Sequence, residues 1–309
     1  MIEIVKAWIL LLFPVLVFAQ RHEAGIVLEN DLFTSTVNDK YYTNGIELLY
    51  RFASKRKTSS TLKSTNEFRI GQYIYNPQTV QAADPNFHDR PFAGVLSGQY
   101  IKGWFYNSGS MLKVGATAGI IGPESGAEAT QKLIHNTFGY KRVAGWAYQI
   151  RTTPVIGLRA NFLQHIWASE NVDLGIQGEA FGGTAFSGVS AGFVSRIGIF
   201  DLLPRHQSIM YGAAVGNDVS VPQKELFIYV APGIQYQFYD ATIQGSAFND
   251  HSPIVWDLVP MRIVGEAGIK YRTGNLCMSY AFIYRGKEAD NWVNIGYYYG
   301  SISASWLFK

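Results

Sequence analysis

The chain has 309 residues, of which 16% are charged and 15% aromatic, with 31 Gly, one Cys and a formal net charge of +3. So mild an excess offers no basic surface for nucleic acid, a lone Cys277 excludes an internal disulfide, and soluble domains carry about a quarter charged residues. Many Gly, Tyr and Trp, few charges and no long apolar run predict an all-β fold, an antiparallel transmembrane β-barrel.

The N-terminal residues have a secretory layout. Lys6 precedes an apolar run over 7–18, and Val17-Phe18-Ala19 offers a cleavage site. Residues 1–19 are expected to be a signal peptide and 20–309 one outer-membrane barrel domain. The run is too short to cross a bilayer as a helix; a buried first strand is the other reading. No Cys follows the cleavage site, so a lipoprotein is not expected.

Alternation at period two then tests for strands with one face in lipid and one in the lumen. Residues 44–52 place Ile46, Leu48, Tyr50 and Phe52 opposite Gly45, Glu47 and Arg51. Residues 261–271 likewise place Ile263, Ala267 and Ile269 opposite Arg262, Glu266 and Lys270. Turn signals divide the chain into about twelve strands, near 23–30, 44–53, 66–75, 92–105, 110–121 and 147–167, then 172–183, 185–199, 224–240, 258–272, 275–286 and 292–308. An even count suits a single-chain bacterial barrel. Trp292, Tyr297, Tyr298, Tyr299, Trp306 and Phe308 suit an aromatic girdle. A soluble sandwich or lipocalin-like barrel alternates too and stays open as the rival fold.

One helix is expected, over 126–138. Ser125 and Glu128 read as a capping box and Gly139 as the stop. Glu124, Glu128, Gln131 and His135 fall at helical spacing along one side. By alternation of connections, the helix shares the external side with 31–43, 76–91 and 200–223. The first two acids read as first-turn and capping groups. His135 reads either as a general base or as a surface histidine favoured by the helix dipole.

Two further polar clusters stand at strand ends. Asn30 and Asp31, with Asn38, Asp39, Thr43 and Asn44 beyond, offer hard oxygens that suit Ca²⁺, or are turn residues. Arg90, after Asp89, either faces a phosphate or pairs with its neighbour. Gly188-Val189-Ser190-Ala191-Gly192 matches the nucleophile-elbow pattern but lies inside an expected strand, where that motif does not work. His88 and His165 have no zinc spacing.

In combination, Asn30-Asp31, Tyr42-Thr43-Asn44-Gly45, Tyr75-Asn76-Pro77, Asp89-Arg90-Pro91-Phe92-Ala93-Gly94, Gly122-Pro123 and Gln131 through His135 resemble the LpxR-type lipid A 3′-O-deacylases. Gly145-Trp146 and Gln149 match as well, in family order, while the second half of the chain is similar only in barrel character. The resemblance implies a twelve-stranded outer-membrane barrel with its site between the wall and a short helix. It implies removal of the 3′-linked acyloxyacyl chain of lipid A in lipopolysaccharide, by ester hydrolysis dependent on Ca²⁺ or another hard divalent cation. His135 would be the base, with Gln131 and Thr43 in the catalytic group, Asp31 and Asn30 at the metal, and Arg90 on substrate. A monomer among outer-membrane lipids is expected. A non-enzymatic channel or scaffold is the alternative; a Ser–His barrel phospholipase is disfavoured because no His-x-Ser-x-Gly stretch exists. Two departures from the family pattern stand out: no Lys lies between Tyr75 and Asp89, and Lys141 replaces an acid six residues past His135.

Overall fold

A computed structural model describes residues 20–34, 40–54, 60–81, 83–218 and 220–309. The expected signal peptide, and Asn38 and Asp39 among the expected ligands, lie outside the described residues. The strands are β1 (His22–Asn30), β2 (Tyr41–Ser54), β3 (Thr61–Asn76), β4 (Ala93–Tyr106), β5 (Met111–Ile121) and β6 (Thr153–Ala168). They continue as β7 (Val172–Gly183), β8 (Phe186–Gly198), β9 (Lys224–Asp240), β10 (Met261–Thr273), β11 (Leu276–Arg285) and β12 (Tyr297–Phe308). Each pairs antiparallel with its sequence neighbours, and β1 pairs with β12 to close the barrel.

Side-chain alternation decides the two faces. On β2, Leu48 is 55% exposed while Glu47 and Arg51 are buried, and on β10 Ile263 is exposed while Arg262 is buried. The apolar face is thus the outer, lipid-facing one and the charged face is the lumen. Inside, Arg51 bridges Glu23 and Glu67, and Arg69 pairs with Glu67 and, at 3.0 Å, with Glu47. Buried charges persist only when paired.

The two largest delays in strand onset are at β6 and β12. β6 starts at Thr153 because Trp146–Tyr148 forms a 3-10 turn, and β12 starts at Tyr297 because 286–296 is a connection. The nucleophile-elbow match lies wholly within β8, paired to both neighbours.

The connection 199–223 is corrected in its side: it leaves the end that carries both chain termini, opposite the helix. Gly216 N donates to Gln20 O at 2.6 Å, and Lys63 Nζ donates to Ala213 O at 2.7 Å. Ser208 Oγ donates to Glu225 Oε1 at 2.6 Å, and Arg205 Nε to Asp173 Oδ2 at 3.1 Å. Ala213 packs with Phe105, Met111, Leu163 and Val194, and Val215 with Cys277 and Leu307. The described residues of the segment therefore fill the terminal end of the lumen as a plug. Parity decides this: eight strands precede it, and each strand reverses the side on which the chain emerges.

Candidate active site on the outer wall of the barrel

The helix α1 runs Ala127–Phe138. Its start differs from the capping-box reading. The N-cap is Gly126, in the left-handed region at φ 71°, with no side-chain cap. Ser125 Oγ instead donates to Gly122 O at 2.6 Å, Glu128 pairs with Lys132 at 2.6 Å, and Glu124 accepts from Thr152 Oγ1. Left-handed glycines at both ends make the turns that side-chain caps would otherwise hold. Gly139, at φ 70°, stops the helix as expected.

The polar stripe splits. Glu124 and Glu128 are turned to solvent, whereas Ala127, Gln131 and His135, at spacings of one turn, form the buried face. That face lies against the outside of the wall. Ala127 packs with Ile74, Val80, Phe92, Val143 and Trp146, and Ile74 shares its side of β3 with exposed Phe68 and Ile70. Gln72 Nε2 on the same side donates to Ser125 O at 2.7 Å. A Cβ at Gly94 of β4 would collide with Ala127 and Ser125, so this glycine lets the helix sit close.

Thr43 reaches this outer face through a β-bulge. The β2–β3 register shifts between Tyr42 and Asn44. Strict alternation back from Glu47 would turn Thr43 inward; the extra residue sends Tyr42 into the lumen, where it donates to Glu29, and Thr43 outward. Tyr41 beside it has φ 66°, a strained conformation for a non-glycine residue. Its hydroxyl donates to Asp89 Oδ2 at 2.7 Å.

A buried polar chain then joins wall to helix. Thr43 Oγ1 lies 3.4 Å from Asn76 Oδ1, the same oxygen accepts from Gln131 Nε2 at 3.0 Å, and Gln131 Oε1 accepts from Trp146 Nε1 at 2.8 Å. The Gln131 amide thereby ties the helix to Asn76 at the end of β3 and to Trp146 of the 3-10 turn. One turn later, His135 Nδ1 is 2.7 Å from the carbonyl oxygen of Lys141. A carbonyl only accepts, so Nδ1 carries the proton and Nε2 is the basic nitrogen of the neutral ring.

Asn30 and Asp31 close the site on the β1 side. Asn30 Oδ1 accepts from Leu32 N at 2.7 Å and caps a 3-10 turn over Asp31–Phe33. Asp31 is buried, and its Oδ2 accepts from Lys40 N at 3.0 Å. Asn30 pairs in register with Asn44, next to Thr43. The donor set Asn30, Asp31, Thr43 and Asn76 consists of hard oxygens, the type a Ca²⁺-like ion takes. Among the described residues no group of three or more His, Cys, Asp or Glu side chains gathers here or elsewhere. Asp31 is the carboxylate of that described set, and the donor types fit a hard cation.

Arg90 is held by side chains of its own chain. It is fully buried; its guanidinium donates to Thr242 Oγ1 at 2.9 Å and to Glu288 Oε2 at 3.3 Å, and stacks over Tyr75 at 4.3 Å. Asp89, beside it, accepts from Tyr41 and from Gln78 N, not from Arg90. Sequence reasoning missed Asn76 as the hub, although it stands in the Tyr75-Asn76-Pro77 motif, and missed the Lys141 carbonyl, which no side-chain pattern signals.

A model of the family described as "Outer membrane protein LpxR" matches residues 5–308. The chain belongs to that family. It is an outer-membrane protein, and the closed twelve-stranded barrel accords with this. LpxR from Salmonella typhimurium has a similar fold, with a TM-score of 0.74 at 17% identity, over 93% of this chain and 100% of that one. The β domain of the Bordetella autotransporter BrkA is also similar, with a TM-score of 0.51 at 11% identity, over 94% of this chain and 100% of that one. At such identities these likenesses establish the LpxR-type barrel alone. No curated protein matches the chain in sequence.

Proposed function

We propose that this LpxR-family protein is a lipid A 3′-O-deacylase of the outer leaflet, with His135 as general base. One observation carries the reading: an imidazole with its tautomer set by Lys141 stands on the lipid-facing wall, between the barrel and α1. A site in the lumen would suit a soluble substrate. A site on the outer wall meets a molecule whose acyl chains stay in the membrane. α1 emerges at the end opposite the chain termini, where most of the longer connections lie, and in such barrels these are external, on the side of the leaflet that holds lipopolysaccharide.

Hydrolysis of an ester needs a base near neutral pH. His135 Nε2 takes a proton from water as its oxygen bonds to the ester carbonyl carbon, and returns that proton to the departing sugar alkoxide. The Lys141 carbonyl, accepting from Nδ1–H, stabilises the ring while it is charged. Asn76 and Gln131 position the helix, and with it the base. Asp31 and Asn30 would hold a hard divalent cation, which when bound supplies Lewis-acid stabilisation of the oxyanion.

Mass spectrometry of lipid A from cells expressing the wild type and His135→Ala tests this reading. Loss of the 3′-linked acyloxyacyl mass is expected only with the wild type. Unchanged lipid A in both would sink it.

A further inference from the structure

A groove of about 900 Å³ crosses the outer face of β3 to β7. Its floor is small: Gly98 on β4 and Ala116 and Ala118 on β5, with Gly182 on β7 beyond Leu158. Its sides are large: Phe68 and Tyr100 on one flank, Ile156 and Leu158 on the other. The register aligns these residues across the wall, with Gly98 beside Ala118 and Ile156, and Tyr100 beside Ala116, Leu158 and Gly182.

The floor glycines are not demanded by packing. At Gly119, Gly183 and Gly192 a Cβ would strike the backbone of a neighbouring strand. At Gly98 the nearest atom would be 3.8 Å away, and at Gly182 nothing lies within 4 Å. Glycine in a strand costs about 0.5–1 kcal/mol relative to Ala. A lipid-facing wall is ordinarily covered by bulky apolar side chains, as it is at Leu48, Ile70 and Ile263. Here the wall is thinned without an internal reason.

The groove lies on the same outer face of β4 that receives α1 higher up. Gly94, which receives the first turn of α1, is on the same outer face of β4 as Gly98, four residues and about 13 Å up the strand. We propose that this groove is the seat of an acyl chain of the substrate, and that it positions the ester beneath α1. The proposal rests on the lipid A deacylase reading. An acyl chain is the occupant because the lining is apolar, the wall faces lipid, and the same face of β4 leads up to Gly94, where the helix that carries His135 is seated.

Gly98→Leu fills the floor, and Gly265→Leu is its control. Gly265 is an outer-face glycine of β10 with nothing within 4 Å of an added Cβ, remote from the groove. Binding of purified lipid A in detergent micelles is measured by titration in a His135→Ala background, with the fully deacylated sugar backbone as a second probe. Gly98→Leu is expected to weaken lipid A binding about tenfold, the scale on which an apolar pocket discriminates a methylene. The deacylated backbone should bind it as it binds the parent, and Gly265→Leu should change neither. Equal lipid A affinities in Gly98→Leu and its parent, or the same loss in Gly265→Leu, overturn the groove proposal. Parallel mass spectrometry of lipid A from wild-type cells tests the deacylase reading, so the two failures are read on separate instruments.

Discussion

His135 donates Nδ1–H to the carbonyl of Lys141, 2.7 Å away, across the turn that ends α1. Gly139 makes the turn with φ 70°, and Tyr140 N donates to His135 O at 2.9 Å as the chain doubles back. The pattern is a Schellman closure. One glycine thereby sets the direction of the imidazole. Gly139→Val forces a branched side chain into the left-handed region, at about 1–2 kcal/mol. Its kcat on lipid A should fall with KM little changed, and His135→Ala should lose about 10²-fold or more. Both should keep the heat-modifiable band of a folded barrel on gels.

The Gln131 amide ties Asn76 to Trp146. Gln131→Leu leaves both partners buried without it, at about 1–3 kcal/mol each. Gln131→Leu and Asn76→Ala should each impair deacylation, and the double variant should be no worse than the more damaged single one. Additive losses would show that the two residues act separately. A cycle of the four proteins, assayed for kcat/KM, decides it.

Among the described residues, Asp31 is the carboxylate among the oxygens at the β1 edge of the site. Chelation by EDTA should lower deacylation and added Ca²⁺ should restore it. Asp31→Asn should shift the Ca²⁺ titration to about tenfold or higher concentrations, since fewer charged ligands weaken a hard-cation site. A rate indifferent to EDTA would remove the cation from the reaction.

Arg90 and Glu288 join two external connections over the lumen. Burial disfavours the Glu288 carboxylate, but Arg262 and Arg90 beside it outweigh that and hold its pKa below the ordinary value. A depressed folded-state pKa adds stability above the unfolded value and loses it as pH falls through the folded one. The thermal midpoint in detergent should therefore be steady near neutrality and decline below about pH 4. Arg90→Leu should lower it at pH 7 by the equivalent of about 3–5 kcal/mol, as removal of one partner from a buried pair does. A variant with unchanged midpoint and raised KM for lipid A would return Arg90 to the substrate.

The plug over 199–223 argues against a channel. Lys63 holds it from β3, and Glu225 holds Ser208 and the Ile209 amide from β9. Planar-bilayer conductance of the wild type should stay at background. Replacing 207–217 by a short Gly-Ser linker should open the terminal end and produce steps of current. Large conductance in the wild type would favour the channel reading.

The sequence by itself determined the barrel. Strict alternation at Leu48, Glu47, Arg51, Ile263 and Arg262 reports two-faced strands, because a period of two divides apolar from charged side chains, and with the composition it favoured a membrane barrel over the soluble rival. It located α1 to within a residue and marked Gln131 and His135 as neighbours on it. Tertiary structure decided the rest. The outward aim of Thr43 comes from one bulged residue, which inverts the face that alternation assigns. The meeting of Asn76 with Gln131, 55 positions apart, depends on α1 folding back over β3. Arg90 is held by Glu288, 198 residues on, so its partner appears only once the barrel has closed. The base is held by a backbone carbonyl, and every residue carries one. Its identity is geometry alone.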